Sequence, residues 1–395
     1  MKNGFGRVVK AFFGIKIRFW ALILACVLCV GVTYGLTVQR ERGRIGSEEN
    51  YSQAMKYLEI KNVIDEKYVG TVNEESVSAA AFDAMVSALG DQWSYYMSPS
   101  EYSAYKLYSA NQYVGLGVQV DKDAETGGLK ITGVNSGTPA DNAGLEAGDI
   151  ILAVAGTDIT GMTVGDARSF ISSNLGESVK LKIRDKDGNE SELSVNCELI
   201  YTSPVTYRML SGSIGYVQIL NFDSGAADAA IKAIETLLGQ GALGFVFDVR
   251  TNPGGLLSEL TALLDYLLPS GNIFISVDKA GNQTPTESDS VCLDMPMAVL
   301  VNADTYSAAE FFAAALQDYN WAEIVGERTT GKSRSQQTIE LSDGSAVHLS
   351  TARYLTPAGI DLAEQGGLIP DQEVALTATG DAQLNAALSA VQWMM

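Results

Sequence analysis

Hydrophobic positions along this chain follow several patterns, and each predicts a different kind of structure. Residues 19–38 read FWALILACVLCVGVTYGLTV, twenty residues without a charge. At about 1.5 Å per residue a helix of that length covers about 30 Å, the thickness of a bilayer core. Residues 45–112 show helical spacing: MKYLEIKNVIDEKYV sets apolar residues three and four apart, and SVSAAAFDAMVSALG ends at Gly90 as helices tend to. In residues 113–200 the apolar runs become short: VGLGVQV, LKITGV, DIILAVAG, VKLKIRD and SELSVNC. Turn signals such as Asp187-Gly188 separate them, which predicts a β-rich unit, with helical pieces near 139–144 and 164–175. Residues 201–395 alternate again: strand SIGYVQIL, helix AADAAIKAIETLLGQG, strand GFVFDVR, helix GLLSELTALLDYLL, strand MAVLVN, helix SAAEFFAAALQDYNWA. That alternation predicts an α/β layer architecture.

Charge changes the reading of the first segment. Five cations and no acid precede residue 19, so the positive-inside rule holds that end in the cytoplasm and exports the remainder. Residues 1–44 carry a local charge of +7 in a chain whose total is −20, which leaves −27 on the part beyond the apolar run. A cleaved signal peptide is the competing reading. Its apolar region is shorter as a rule, and no clear A-x-A site is present. The expectation is therefore an uncleaved single-pass anchor with the N-terminus cytoplasmic and the bulk of the chain outside the cell membrane. The acidic balance argues against nucleic acid as a partner. One histidine, His348, excludes multi-histidine zinc sites, and four scattered cysteines exclude a disulfide scaffold. Cys26 and Cys29 lie in the apolar run. Cys197 and Cys292 read as two buried thiols rather than a pair.

Candidate chemistry concentrates in the last region. Asn252-Pro253-Gly254-Gly255 follows a buried strand and precedes a helix, where glycines allow positive φ and close backbone approach, and N–H groups face negative charge. The turn reads as an oxyanion hole or as an ordinary βα connection. Ser307 follows the strand MAVLVN and opens a helix; it reads as an N-cap or as a nucleophile beside the N–H of Ala308. Gly326 to Ser333 fits G-x-x-x-x-G-K-[ST] literally. A phosphate-binding loop must lead into a helix, and here SRSQQTIELSDGSAVHLSTARYL reads as a hairpin about Asp343-Gly344, so nucleotide binding is set aside. Lys332 then serves better as a base: burial disfavours its ammonium and supplies neutral amine near pH 7. Gln336, four residues on, projects to the same side and can orient the lysine nitrogen. His348, in alternating SAVHLSTARY, reads as a half-buried strand residue.

The segments FVFDVRTNPGGLL, VLVNADTYSAAEFFAAALQD, VGERTTGKSRSQ and ARYLTPAGIDLAEQGGLIPDQEV resemble, in order and spacing, the carboxy-terminal processing protease family, over roughly residues 50–378. The resemblance implies an α/β, crotonase-like protease core with an inserted PDZ-like α+β domain, behind an N-terminal transmembrane helix. The regions are then 1–44 anchor, 45–112 helical, 113–200 PDZ-like and 201–395 protease core. It implies Ser307 as nucleophile, Lys332 as general base, Gln336 as its orienter, and Gly254, Gly255 and Ala308 as oxyanion donors. It implies that Gly115-Leu116-Gly117-Val118 bind a peptide carboxylate, and that Val164, Ala167, Arg168 and Ile171 wall the groove. No metal or organic cofactor is implied. Substrates would be proteins or peptides with exposed C-termini, and a homodimer fits. Two residues depart from the family pattern: Tyr306 stands before the serine, and Ser333 replaces the glycine after the lysine. The rival readings are an inactive membrane-tethered PDZ adaptor and a crotonase-type acyl-CoA enzyme.

Overall fold

The computed structural model describes residues 23–37, 46–377 and 379–395. Residues 23–37 are helical and exposed. The ends of the expected anchor, residues 19–22 and 38, and the cations before it lie outside the described residues. Among the described residues no helix is long and apolar enough to cross a membrane.

The chain divides into two compact units, residues 1–80 and 81–395. In the first, Ser47 caps the helix Glu48–Lys67 by accepting from the N–H of Asn50 at 3.0 Å. No residue of that helix is buried. Lys61 pairs with Asp65 at 3.3 Å and Glu74 at 2.7 Å, surface ion pairs that add little stability.

The second unit is built around a six-stranded sheet. Its order is Val205–Leu210, Ile214–Ile219, Gly244–Asp248, Met297–Val301, Glu323–Gly326 and Gln372–Glu373. The first pair is antiparallel and the rest are parallel. Gly244–Asp248 and Met297–Val301 are buried at every position, which is why they read as unbroken apolar runs. Successive residues serve opposite faces. Phe245, Phe247, Val299 and Val301 join the core under the helices Ala226–Gly239, Leu257–Leu267 and Ala308–Asp318. Val246, Ala298 and Leu300 meet Ala387 and Val391 of the helix Ala382–Met394. Each fully buried phenylalanine, among them Phe222, Phe311 and Phe312, contributes about 1.5–3 kcal/mol relative to exposure.

A second sheet runs Tyr95–Met97, Ala346–Leu355, Gly271–Val277, Gln283–Ser288, with Arg334–Glu340 paired antiparallel to Ala346–Leu355. The residues after Lys332 therefore form a hairpin, as expected, and no helix N-terminus is presented there. Gly271–Val277 and Gln283–Ser288 were not anticipated. The second is polar and exposed along most of its length, so it carries no alternating signal.

Residues 113–200 contain a separate six-stranded antiparallel sheet: Val118–Lys122, Leu129–Val134, Ile150–Val154, Ser178–Arg184 and Glu190–Asn196 in order, with the short strand Thr157–Asp158 paired to Ile150–Val154. The helices Pro139–Asn142 and Val164–Ser172 sit close to where the pattern placed them. Leu129, Ile131, Ile151, Val154, Leu181 and Ala167 form its own core. Cys197 lies in that core, its thiol directed to the carbonyl of Ile171 at 3.3 Å, and Cys292 is half-buried; neither is in a disulfide.

Candidate active site

Three loops leave the carboxyl ends of neighbouring parallel strands, the edge of an open α/β sheet where sites form. The loop after Gly244–Asp248 carries Asn252 to Gly255, the loop after Met297–Val301 carries Ser307, and the loop after Glu323–Gly326 carries Lys332.

Hydrogen bonds lock the first loop. The Asn252 side chain is fully buried; it donates to the carbonyl of Ile219 and accepts from the N–H of Gly254, both at 2.8 Å. Gly254 and Gly255 have φ of +89° and +150°. A Cβ on Gly254 would stand 2.8 Å from the nitrogen of Ala308, and one on Gly255 would stand 2.2 Å from the carbonyl carbon of Phe222. Only glycine fits either place. The N–H of Gly254 is occupied by Asn252. Among the described residues no hydrogen bond uses the N–H of Gly255 or of Ala308.

Ser307 has φ +59° and ψ −128°, a conformation that costs a non-glycine residue on the order of 1–3 kcal/mol and persists only when its surroundings impose it. Glu310 imposes it. This carboxylate is fully buried inside the helix that Ser307 opens. It accepts from the N–H of Ser307 at 2.9 Å, of Lys332 at 2.8 Å and of Gly331 at 2.6 Å, and from the hydroxyl of Thr329 at 2.5 Å. The N–H of Glu310 bonds to the Ser307 carbonyl, so the serine hydroxyl is not consumed as a cap. One side chain thus ties the Ser307 turn to the Lys332 loop.

The Lys332 amine is held by rings. It lies 4.4 Å from the centroid of Trp93 and 5.7 Å from that of Tyr306, and those two rings stack on each other at 5.9 Å. Among the described residues no hydrogen bond or ion pair holds its Nζ. Burial pulls its pKa down to about 8, against the opposing charges of Asp91 and Glu310. Gln336 sits at a bulge in the hairpin, its Nε2 donating to the Arg334 carbonyl and the Ser350 hydroxyl, each at 3.0 Å. His348 stacks on Tyr95 at 4.7 Å and meets Thr338 Oγ1 at 2.8 Å. Burial and the Lys332 charge push its pKa down to about 4, so it is neutral near pH 7. Ser333 is buried, its hydroxyl bonded to Asp361.

Gly254, Gly255, Ser307, Ala308, Lys332 and Gln336 all line one cavity of about 650 Å³, together with His348, Asp223, Tyr105 and Tyr108. The sequence reading brought together the residues of three loops. It missed Trp93, Glu310 and Asp223. Ser307-Ala308-Ala309-Glu310 has the S-x-x-E spacing of a capping box, a signal for Glu310 that was available. Nothing local marks Trp93, whose partner lies more than 200 positions away.

A second cavity, of about 570 Å³, is lined by Gly115, Leu116, Val118, Arg168 and Ile171. Gly117, at φ +92°, turns the chain between the strands Gln112–Gly115 and Val118–Lys122; a Cβ there would fall 2.2 Å from the Thr138 side chain. Of the residues expected to wall this groove, Ala167 is buried in the core and Val164 packs against that core, and neither lines the cavity.

Residues 213–374 match the family model for peptidase family S41, and residues 130–185 match that for a PDZ domain. A carboxyl-terminal-processing protease of Synechocystis sp. is 30% identical over 94% of this chain and 92% of its own length. The carboxy-terminal processing protease CtpA of Bacillus subtilis is 29% identical over 91% of this chain and 76% of its own length. A solved photosystem II D1 C-terminal processing protease is 28% identical, with a TM-score of 0.48 over 86% of this chain and 92% of that one. Strand-end loops that gather a strained serine, a half-buried lysine and a glycine turn thus occur in a chain that belongs to the carboxyl-terminal-processing protease family, the serine proteases of peptidase family S41.

Proposed function

We propose that this protein cleaves peptide bonds by acyl transfer from a Ser307–Lys332 pair. The observation that carries this reading is the shared cavity, in which an uncapped serine hydroxyl, an amine with its pKa near 8 and two unused N–H groups come together. Neutral Lys332 takes the proton of Ser307 as Oγ bonds to the substrate carbonyl carbon. The oxyanion accepts from the N–H groups of Gly255 and Ala308, while Gly254 shapes the turn. Lys332 then gives its proton to the leaving nitrogen as the C–N bond breaks. Water repeats the cycle: Lys332 takes its proton, the acyl C–O bond to Ser307 breaks, and the proton returns to the serine. With Gln336 Nε2 committed to Arg334 and Ser350, its Oε1 is the group left to orient the lysine. For this step the Lys332 amine must come within hydrogen-bonding reach of the Ser307 hydroxyl.

The groove formed by Gly115-Leu116-Gly117-Val118 and Arg168 receives a substrate C-terminus as an added strand, its carboxylate held by loop N–H groups. Substrates are therefore proteins with exposed C-termini. The apolar, uncharged run at 19–38 and the cations before it support a membrane anchor with the catalytic unit outside. Digestion of an unfolded protein such as casein by the purified chain tests the central reading: cleavage is expected, and it is expected to vanish in Ser307→Ala. Cleavage that survives this substitution refutes the assignment.

A further inference from the structure

The cavity contains an acid that the acyl-transfer chemistry does not use. Asp223 lies between the strand Ile214–Ile219 and the helix Ala226–Gly239, is 6% exposed, and lines the same cavity as Ser307 and Gly255. Its backbone is fixed: its N–H donates to Asn221 Oδ1 and its carbonyl accepts from the N–H of Ala226, each at 3.0 Å. Phe222, just before it, bonds to the carbonyl of Gly254 and the N–H of Leu256, both at 2.7 Å. The carboxyl group is thereby set beside the glycine turn.

Among the described residues no hydrogen bond or ion pair reaches that carboxyl group. Glu259 cannot supply a proton donor: its two oxygens accept from the N–H groups of Gly225 and Ala227 at 3.2 and 2.9 Å. Burial and the Glu259 charge raise Asp223 to about 6, so it is still ionised at pH 7–8. The cavity's own cations, Lys332 and Arg334, make no ion pair with it among the described residues. A desolvated, unpaired carboxylate is costly wherever it stands. In a substrate cleft the cost is offset when a bound group brings the missing cation.

The surroundings define that group. Leu256, Leu257, Leu260 and Tyr108 line the same cavity. They suit a side chain with an aliphatic stem and a cationic tip, the build of lysine and arginine. The net charge of −20 also favours approach of basic substrates.

We infer that Asp223 determines specificity, selecting substrates that carry lysine or arginine next to the scissile bond by pairing with that cation from the wall beside the glycine turn. This rests on the serine-protease reading of the cavity, and the test separates the two. Casein is digested at pH 8 and the cut sites are read by mass spectrometry; loss of all cuts in Ser307→Ala checks the protease reading alone. Cuts by the unaltered protein are expected to be enriched in lysine and arginine at one adjoining position. For matched peptides with lysine or leucine at that position, the lysine-to-leucine ratio of kcat/KM is expected to fall at least about tenfold in Asp223→Asn. In Asp223→Lys the preference is expected to move to glutamate. Cut sites without basic enrichment, or a ratio unchanged in Asp223→Asn, overturn the inference. An equal loss for both peptides also overturns it, since that marks a structural role.

Discussion

Around Ser307, hydrogen bonds to buried side chains fix the backbone, whereas the amine of Lys332 in the same cavity rests against aromatic faces. Asn252 and Glu310, both fully buried, hold the glycine turn and the serine turn. Glu310 also grips the backbone of Lys332 at 2.8 Å, but among the described residues no hydrogen bond holds its Nζ, which sits over Trp93. The difference separates two tasks. Oxyanion donors must be in place before charge develops, so rigidity serves them. A base must collect and deliver protons at different atoms, so its tip needs freedom while its stem stays fixed.

The comparison can be broken from either side. Ser307→Ala and Lys332→Ala are expected to lower kcat by roughly 10⁴-fold or more, since in the proposed reaction both act in one chemical unit. A Lys332→Ala protein with near-normal kcat would remove the base. Glu310→Ala strips the acceptor from three N–H groups and a hydroxyl at once. It is expected to cost about 3–5 kcal/mol of stability in urea unfolding, because it leaves buried donors unpaired. A cost below about 1 kcal/mol would show that the serine turn holds itself. Gly255→Ala adds a Cβ against the Phe222 backbone and displaces a proposed oxyanion donor. Its kcat is expected to fall roughly 10²–10³-fold, with KM changed much less.

The smallest expected effect concerns the aromatic wall. The proposed reaction requires the neutral amine, so the rate is expected to climb as pH rises toward about 8 and level above it. Trp93 favours the charged form by ring contact and the neutral form by excluding water. Trp93→Leu keeps the exclusion and removes the ring face, worth about 0.5–1 kcal/mol. The midpoint of the pH–rate profile is therefore expected to move down by less than about one unit. A move upward would mean that water exclusion, not ring contact, is what Trp93 supplies.

How much of this was legible in the sequence followed the same divide. Local signals located the Ser307 side of the cavity: a buried strand, a glycine turn, then a serine at a helix start. The apolar runs of the parallel strands placed those loops together, since each is buried on both faces. Lys332 was legible by its hairpin context. Trp93 and Asp223 were not, because each earns its role only through partners far along the chain: a cation for one, a cavity for the other. Ala167 misled for the converse reason, since a helical face that walls a groove and one that fills a core have the same spacing.

The central claim, that Ser307 reacts because Lys332 is neutral, is tested most directly by labelling with a fluorophosphonate and locating the adduct by mass spectrometry across a pH series. The account predicts a single adduct on Ser307 whose rate of formation rises with pH to a midpoint of about 8 and collapses in Lys332→Ala. An adduct elsewhere, or a Ser307 labelling rate indifferent to both pH and Lys332, would contradict it.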